Sequence, residues 1–128
     1  IRIVIDRSSK IPTDYELFTD GIKTIIFSEV KNAIDSYNSI IFECINFNKN
    51  VPDQICAVLF KYEIQSLIIE GGAKTIQSFI DANLWDEARV FKGQTTFQNG
   101  TTAPIISGNP VAGFDIMNDE LKIFKNYD

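Results

Sequence analysis

The sequence predicts an α/β fold in which a mostly parallel sheet is flanked by helices and an antiparallel strand is added at the C-terminal end. Three observations support this prediction. Short apolar runs rich in Ile, Val and Phe alternate with helix-patterned segments, as in parallel sheets with crossover connections. One such run ends in Gly71-Gly72 directly before a helix pattern. The stretch 116–124 then shows the polar and apolar alternation of a strand.

The first quarter of the chain predicts two buried strands joined by a loop. Residues 1–5 are apolar and β-branched apart from Arg2 and predict a mostly buried strand, and residues 23–27, Lys-Thr-Ile-Ile-Phe, predict a second buried strand. The intervening loop contains Leu17-Phe18, which we expect to enter the core. Asp20-Gly21 predicts a turn just before the second strand.

The next segment predicts a third strand and a helix. Residues 30–39 are rich in Asn and Ser and favour a loop with a short helical turn, whereas residues 40–47 favour a strand. Asn50 and the early Pro52 are typical of a helix start. Apolar residues then recur at helical spacing as far as position 62 or 63, where the helix is expected to end: Ile55, Val58, Leu59 and Tyr62.

A fourth strand and a second helix follow. Residues 66–69 predict a buried strand that ends at the Gly-Gly turn. Residues 74–84 predict a helix with one apolar face, which Asn83 is suited to end because asparagine tolerates a left-handed backbone.

The remainder predicts two strands separated by a long loop. Residues 86–91 favour a fifth strand, and residues 93–113, with their glycines and prolines, favour one loop. Residues 116–124 predict a final edge strand, with Lys122, Lys125 and Asn126 protecting its free edge from unwanted pairing.

Length and charge limit the functional classes. The 128 residues suit a single domain spanning 1–128, and 45% apolar content is typical of a globular chain. The net charge of −5 argues against a general nucleic-acid or anionic-membrane surface. No apolar run has the length needed to cross a bilayer.

The cysteine and histidine counts exclude several chemistries. The chain has two cysteines, Cys44 and Cys56, and no histidine. Ser-His-Asp and Cys-His catalysis are therefore excluded, and no metal site is predicted. Both cysteines lie in apolar patterns that favour buried free thiols over a disulfide, which suits a cytoplasmic protein.

The Gly-Gly turn is the candidate binding element. Glycines at a helix start let another backbone or a ligand come close, and the unpaired first amides favour an anion such as phosphate. On Gly71 and Gly72 alone, a tight strand-to-helix turn is the simpler interpretation. However, Ser28 and Glu70 also follow predicted parallel strands, and ligands gather at the C-terminal ends of such strands.

The surrounding residues add a family resemblance. The stretch SLIIEGGAKTIQSFIDANLWDEARVF resembles the signature region of the C-terminal reductase domain of the bifunctional riboflavin-biosynthesis deaminase/reductases. That family typically has S-hydrophobic-EGG, a helix, L-(V/W)-DE and a strand. The opening IRIVIDRSSKIP is similar to the family's strand-and-proline segment. The resemblance covers most of the chain in the right order, and EGG, LWDE and RIVID together are fairly specific.

The resemblance implies a dihydrofolate-reductase-like fold, NADPH as hydride donor and a ribosylaminopyrimidine 5′-phosphate as substrate. It implies that Glu70 contacts the substrate, and that the cofactor is bound by a set of residues at two places in the chain: Ser28, Gly71, Gly72, Ala73, Lys74, Thr75, Ile76, Gln77 and Ser78. For Ser28, a hydroxyl that caps the following turn is an equal alternative.

Three further expectations accompany the resemblance. Family members carry strands before the RIVID segment, so the chain is expected to be a fragment that is incomplete at its N-terminus. Family members are usually dimers or larger, so a homodimer is expected. Two alternatives stay open, namely a reductase of the wider dihydrofolate-reductase-like group with another substrate, and a non-catalytic nucleotide-binding module.

Overall fold

The computed structural model describes residues 1–30, 36–96 and 98–127. Its helices and strands fall in two compact units, Ile1–Leu67 and Ile68–Asp128. The elements, in chain order, are β1 Arg2–Ile5, a 3₁₀ turn Glu16–Phe18, β2 Thr24–Ser28, β3 Ser36–Tyr37, β4 Ile40–Cys44, α1 Val51–Lys61, α2 Ala73–Asp81, β5 Glu87–Lys92, β6 Ala112–Ile116 and β7 Asp119–Lys125.

The first unit contains a four-stranded sheet in the order β1-β2-β4-β3. The pairs β1–β2 and β2–β4 are parallel, which confirms the parallel pairing expected from the sequence. Central strand β2 is buried along its whole length because it has a neighbour on each side, whereas β1 at the edge is only half-buried. The prediction that β1 is mostly buried is therefore wrong.

One face of this sheet carries a compact core. Phe18, Ile26 and Ile40 are buried together, which confirms that the loop before β2 enters the core. The turn expected at Asp20-Gly21 is also present, since Gly21 has a φ of +73° and the Asp20 carboxylate accepts a hydrogen bond from the Ile22 amide at 2.9 Å.

The stretch expected to be a loop at 30–39 contains part of a hairpin. β3 pairs with β4 antiparallel through the turn at Asn38-Ser39, where Asn38 has a φ of +52°. Residues 31–35 of the stretch in which a short helical turn is expected lie outside the described residues. β4 ends at Cys44 rather than at 47, because the Asn46 side chain accepts a hydrogen bond from the Asn48 amide at 2.9 Å and turns the chain.

The cysteines are both free thiols, as expected. Cys56 on α1 is half-buried, and burial raises the pKa of its thiol. Cys44 at the end of β4 is exposed, so its predicted burial is wrong. Its position at the strand end, rather than in the middle of a strand, explains the difference.

The strand predicted at 66–69 is not present among the described residues. This segment has no ladder partner, and the side chain of Ile68 is 83% exposed. It spans the boundary between the two units, and an apolar β-branched run becomes a strand only where another strand pairs with it. Helix α2 then begins at Ala73 and ends at Asp81, and Asn83 has the expected left-handed φ of +55°.

The second unit contains an antiparallel sheet in the order β5-β7-β6. The antiparallel C-terminal addition is thus confirmed, but the predicted single edge strand at 116–124 is wrong. The segment is divided by a turn at Met117-Asn118, where Met117 has a φ of +56°, and β7 lies in the centre of the sheet. Lys122 and Lys125 consequently guard no edge, and Lys125 instead forms an ion pair with Glu87 at 2.6 Å.

Candidate functional site

The turn before α2 has two glycines in different surroundings. A Cβ placed on Gly71 would lie 3.1 Å from the Cβ of Thr75 and 3.2 Å from its Cγ2, so the residue at this position must be small. A Cβ placed on Gly72 would meet nothing within 4 Å. Gly71 therefore permits the tight turn, whereas the space around a Cβ at Gly72, the N-cap of α2, is open.

The first turn of α2 presents unpaired donors to this space. The carbonyl oxygen of Gly72 accepts hydrogen bonds from the amides of Thr75 at 2.9 Å and Ile76 at 3.2 Å. No side chain caps the helix, so the amides of Ala73 and Lys74 have no partner among the described residues. These amides lie at the positive end of the helix dipole, which favours an anion.

Two charged side chains flank the turn. Glu70 is exposed, and no described residue donates a hydrogen bond to its carboxylate. Lys74 is exposed as well and forms no ion pair with the described part of the chain. Glu70 is thus free to accept hydrogen bonds from a ligand, and Lys74 is free to add positive charge near the unpaired amides.

The later residues of the predicted stretch, 76–78, are half-buried or form hydrogen bonds within the protein. The Ser78 hydroxyl donates to the Thr75 carbonyl at 2.7 Å. The Gln77 side chain accepts a hydrogen bond from the Ile105 amide at 2.8 Å and donates to the Asp81 carboxylate at 2.7 Å. Ile76 is half-buried. Gln77 therefore holds the long loop at Ile105 by hydrogen bonds. The accessible part of the site is limited to 70–75.

Ser28 lies in the other unit, at the C-terminal end of β2. It is 1% exposed, and its hydroxyl donates to the Val30 carbonyl at 2.6 Å and accepts from the Val30 amide at 3.1 Å. These two bonds show the turn-capping role that the sequence left as an equal alternative. The structure does not place Ser28 in one unit with Gly71–Ser78.

Metal-binding groups and membrane-spanning helices are both absent from the described ranges. No group of three or more His, Cys, Asp or Glu residues there is arranged to hold a metal ion. No helix in that part of the protein has the length and apolar character of a membrane span.

Comparison with known proteins assigns the family. The sequence profile of the RibD C-terminal domain matches residues 1–112. The chain belongs to the RibD C-terminal domain family. A curated relative, the riboflavin biosynthesis protein RibD of Bacillus amyloliquefaciens, is 28% identical over 127 residues, and the match covers 93% of this chain and 33% of that protein.

Solved structures show the fold. The diaminohydroxyphosphoribosylaminopyrimidine deaminase/5-amino-6-(5-phosphoribosylamino)uracil reductase of Thermotoga maritima superposes with a TM-score of 0.78 at 17% identity, covering 97% of this chain and 37% of the other. The riboflavin biosynthesis reductase Rib7 of Saccharomyces cerevisiae also gives a TM-score of 0.78 at 19% identity, covering 98% of this chain and 69% of the other.

These matches confirm the dihydrofolate-reductase-like fold expected from the resemblance. The chain spans about a third of the length of the Bacillus amyloliquefaciens and Thermotoga maritima relatives.

One cluster in this RibD-type domain was missed from the sequence. Arg7, Glu29 and Asn48 follow β1, β2 and β4, and their side chains meet at the C-terminal ends of these parallel strands. The sequence held a signal for them, because each is a polar residue just beyond a predicted parallel strand. Asp6, next to Arg7, has the turn-forming role expected of it, since its carboxylate accepts hydrogen bonds from the Lys10 and Ile11 amides.

Proposed function

We propose that the chain is the NADPH-binding part of a reductase that converts the ribose of a 5-amino-6-ribosylaminopyrimidine 5′-phosphate to the ribityl form. The observation that carries the proposal is the open Gly72 turn with unpaired helix amides in a RibD C-terminal domain. The substrate is suggested by the names of the relatives, one of which is a 5-amino-6-(5-phosphoribosylamino)uracil reductase.

The turn fits a phosphate of the cofactor. Gly72 adds no side chain at the start of α2, and the amides of Ala73 and Lys74 are the unpaired donors that an anion would bind there. Lys74 adds charge near these amides. Bound NADPH supplies a hydride, and the protein's part is to hold the cofactor and orient it against the substrate.

Glu70 is proposed as the substrate residue. Its free, exposed carboxylate stands immediately before the phosphate-binding turn. In this position it would accept hydrogen bonds from ribose hydroxyls and assist proton transfer at the sugar. No other acidic side chain lies in 70–75.

The test is oxidation of NADPH in the presence of the phosphoribosylaminouracil substrate. We expect Glu70→Gln to lower kcat by about 100-fold, the lower end of what general acid–base groups contribute, with little change in cofactor affinity. Glu63→Gln is the matched control, because Glu63 is also an exposed glutamate but lies outside the turn at 70–75. Equal turnover in the two variants would remove Glu70 from the mechanism. NADPH binding without turnover in any variant would favour the nucleotide-binding module.

We further propose that the two units act together as one reductase domain and that the protein is a cytoplasmic homodimer. Free thiols suit a reducing compartment. The edge strands β5 and β6 carry the exposed Phe91 and Phe114, both in register with Leu121 of β7. Such an apolar row is typical of an interface. Sedimentation equilibrium at micromolar concentration should show a dimer, and Phe114→Arg should shift it towards monomer. A wild-type monomer would contradict the proposal.

A further inference from the structure

The C-terminal ends of the three parallel strands hold an arginine in a fixed orientation. Arg7 follows β1, and its carbonyl accepts a hydrogen bond from the Glu29 amide at 2.8 Å, which ties the ends of β1 and β2 together. Asn48 reaches the same point from the end of β4. Arg7 therefore occupies the end of the sheet at which ligands of parallel α/β folds bind.

The guanidinium of Arg7 has several contacts. Its Nε donates to Glu29 Oε2 at 2.8 Å, and its Nη2 donates to Glu29 Oε1 and to Asn48 Oδ1, both at 3.4 Å. Its Cζ lies 5.5 Å from the centroid of the Phe47 ring, a distance typical of a cation–π contact. The Nη1 group has no partner among the described residues. The side chain is oriented in advance but 52% exposed, so a ligand can reach it.

We propose that Arg7 is a binding residue for a phosphate monoester, and that Glu29 is an internal anion that holds the guanidinium until the phosphate replaces it. The inference rests on the proposed function, in which two groups have this chemistry: the 2′-phosphate of NADPH and the 5′-phosphate of the substrate.

The chemistry of the pair favours exchange. A phosphate monoester carries about −1.5 to −2 charges at neutral pH and binds the planar guanidinium fork through two oxygens, whereas the exposed carboxylate carries one charge. The two longer bonds of 3.4 Å are weak and cost little to break. Glu29 raises the pKa of Arg7 through their hydrogen bond and its charge. An arginine is protonated at neutral pH with or without this partner, so the cation is present for either anion.

The exchange predicts that removing Arg7 and removing the charge of Glu29 have opposite effects on the affinity for a phosphate. Without Arg7, the Glu29 carboxylate remains and repels a phosphate. Without the Glu29 charge, Arg7 keeps its contact with Phe47 and Asn48 and is free for the ligand. A purely structural ion pair would instead give two variants with the same small effect on folding and none on ligand binding.

Calorimetric titration of the wild type, Arg7→Gln and Glu29→Gln with NADPH, NADH and ribose 5-phosphate tests the proposal. Arg7→Gln should weaken binding of a phosphate monoester by about 10- to 100-fold, the range for a lost charge-assisted hydrogen-bonded pair. Glu29→Gln should strengthen it several-fold. Arg89→Gln is the matched control, because Arg89 is an exposed arginine that donates from Nε to Glu87 at 2.7 Å on the antiparallel sheet.

The ligands separate the outcomes. If Arg7→Gln binds NADPH more weakly than the wild type but binds NADH equally well, Arg7 contacts the 2′-phosphate. If the variant binds ribose 5-phosphate more weakly, Arg7 contacts the phosphate of the substrate. Unchanged affinity for both phosphate ligands in Arg7→Gln, or an equal loss for NADH, overturns the inference while the proposed function stands. A wild type that binds none of the three ligands overturns both. Equal melting temperatures of the variants show that folding is not the cause.

Discussion

The two glycines of the turn should respond in opposite ways to the same substitution. In Gly71→Ala the new Cβ lies 3.1 Å from Thr75 Cβ and 3.2 Å from Thr75 Cγ2, closer than ordinary van der Waals contact. The turn is exposed, so Thr75 can yield in part, and we expect a cost of about 1 kcal/mol, the lower end for overpacking. For a chain of this size this corresponds to a melting temperature lowered by roughly 4 °C.

In Gly72→Ala the new Cβ meets nothing, and the backbone angles of φ −63° and ψ 164° suit any residue. Alanine restricts the unfolded chain, which raises the free energy of unfolding by about 0.4–1 kcal/mol. Alanine is also a poorer N-cap residue than glycine, which lowers the free energy of unfolding by a similar amount. Stability should therefore change by less than about 0.5 kcal/mol. The methyl group, however, fills the space in front of the amides, and NADPH should bind about 10-fold more weakly or worse.

Thermal melts and NADPH titrations of the two variants check this contrast. Gly71→Ala should be the less stable variant, and adding Thr75→Ser, which removes Cγ2, should restore part of the loss. The reasoning is refuted if Gly72→Ala binds NADPH like the wild type, or if it is destabilised as much as Gly71→Ala.

Two further predictions concern single hydrogen bonds. The Tyr62 hydroxyl donates to the Glu43 carboxylate at 2.6 Å, and this bond raises the pKa of Tyr62 to about 12. Since the pKa of tyrosine in the unfolded chain is about 10, the stabilisation is complete below pH 10 and is lost as the pH rises towards 12. Denaturant melts should show this loss of stability in the wild type and not in Tyr62→Phe. Identical dependence of stability on pH in the two proteins would contradict the assignment. Gln77→Ala should release the loop at Ile105 and speed hydrogen exchange of the Ile105 amide about fivefold, the effect of one net hydrogen bond. Ser78→Ala, which loses only a bond within α2, should leave that amide unchanged.

The sequence was most informative where local chemistry decides the structure. Within the strand predicted at 23–27, residues 25–27 are all apolar, which is typical of a buried strand, and β2 is buried from Thr24 to Ser28. Asn50 and Pro52 fix the start of α1, and Asn83 tolerates the left-handed backbone that follows α2. The Gly-Gly turn was evident for the same reason, because glycine at a helix start has few other uses.

The failures came where distant partners decide the structure. Residues 66–69 have strand composition, but the described chain offers them no pairing partner. The pattern of β6 is obscured by Gly113, so the hairpin with β7 was not found. The cluster around Arg7 joins residues that are 22 and 41 positions apart, and no local pattern shows that three strand ends place them together.

The most direct test of the account is calorimetric titration of the wild-type chain with NADPH and with NADH. The account predicts that one NADPH binds per chain and that NADH binds at least about 10-fold more weakly, because a charged phosphate contact is missing. Equal affinity for the two cofactors would contradict the proposal that the protein selects NADPH through a charged contact with its 2′-phosphate. Absence of binding by both would contradict the central claim that the turn at Gly72 holds a cofactor phosphate.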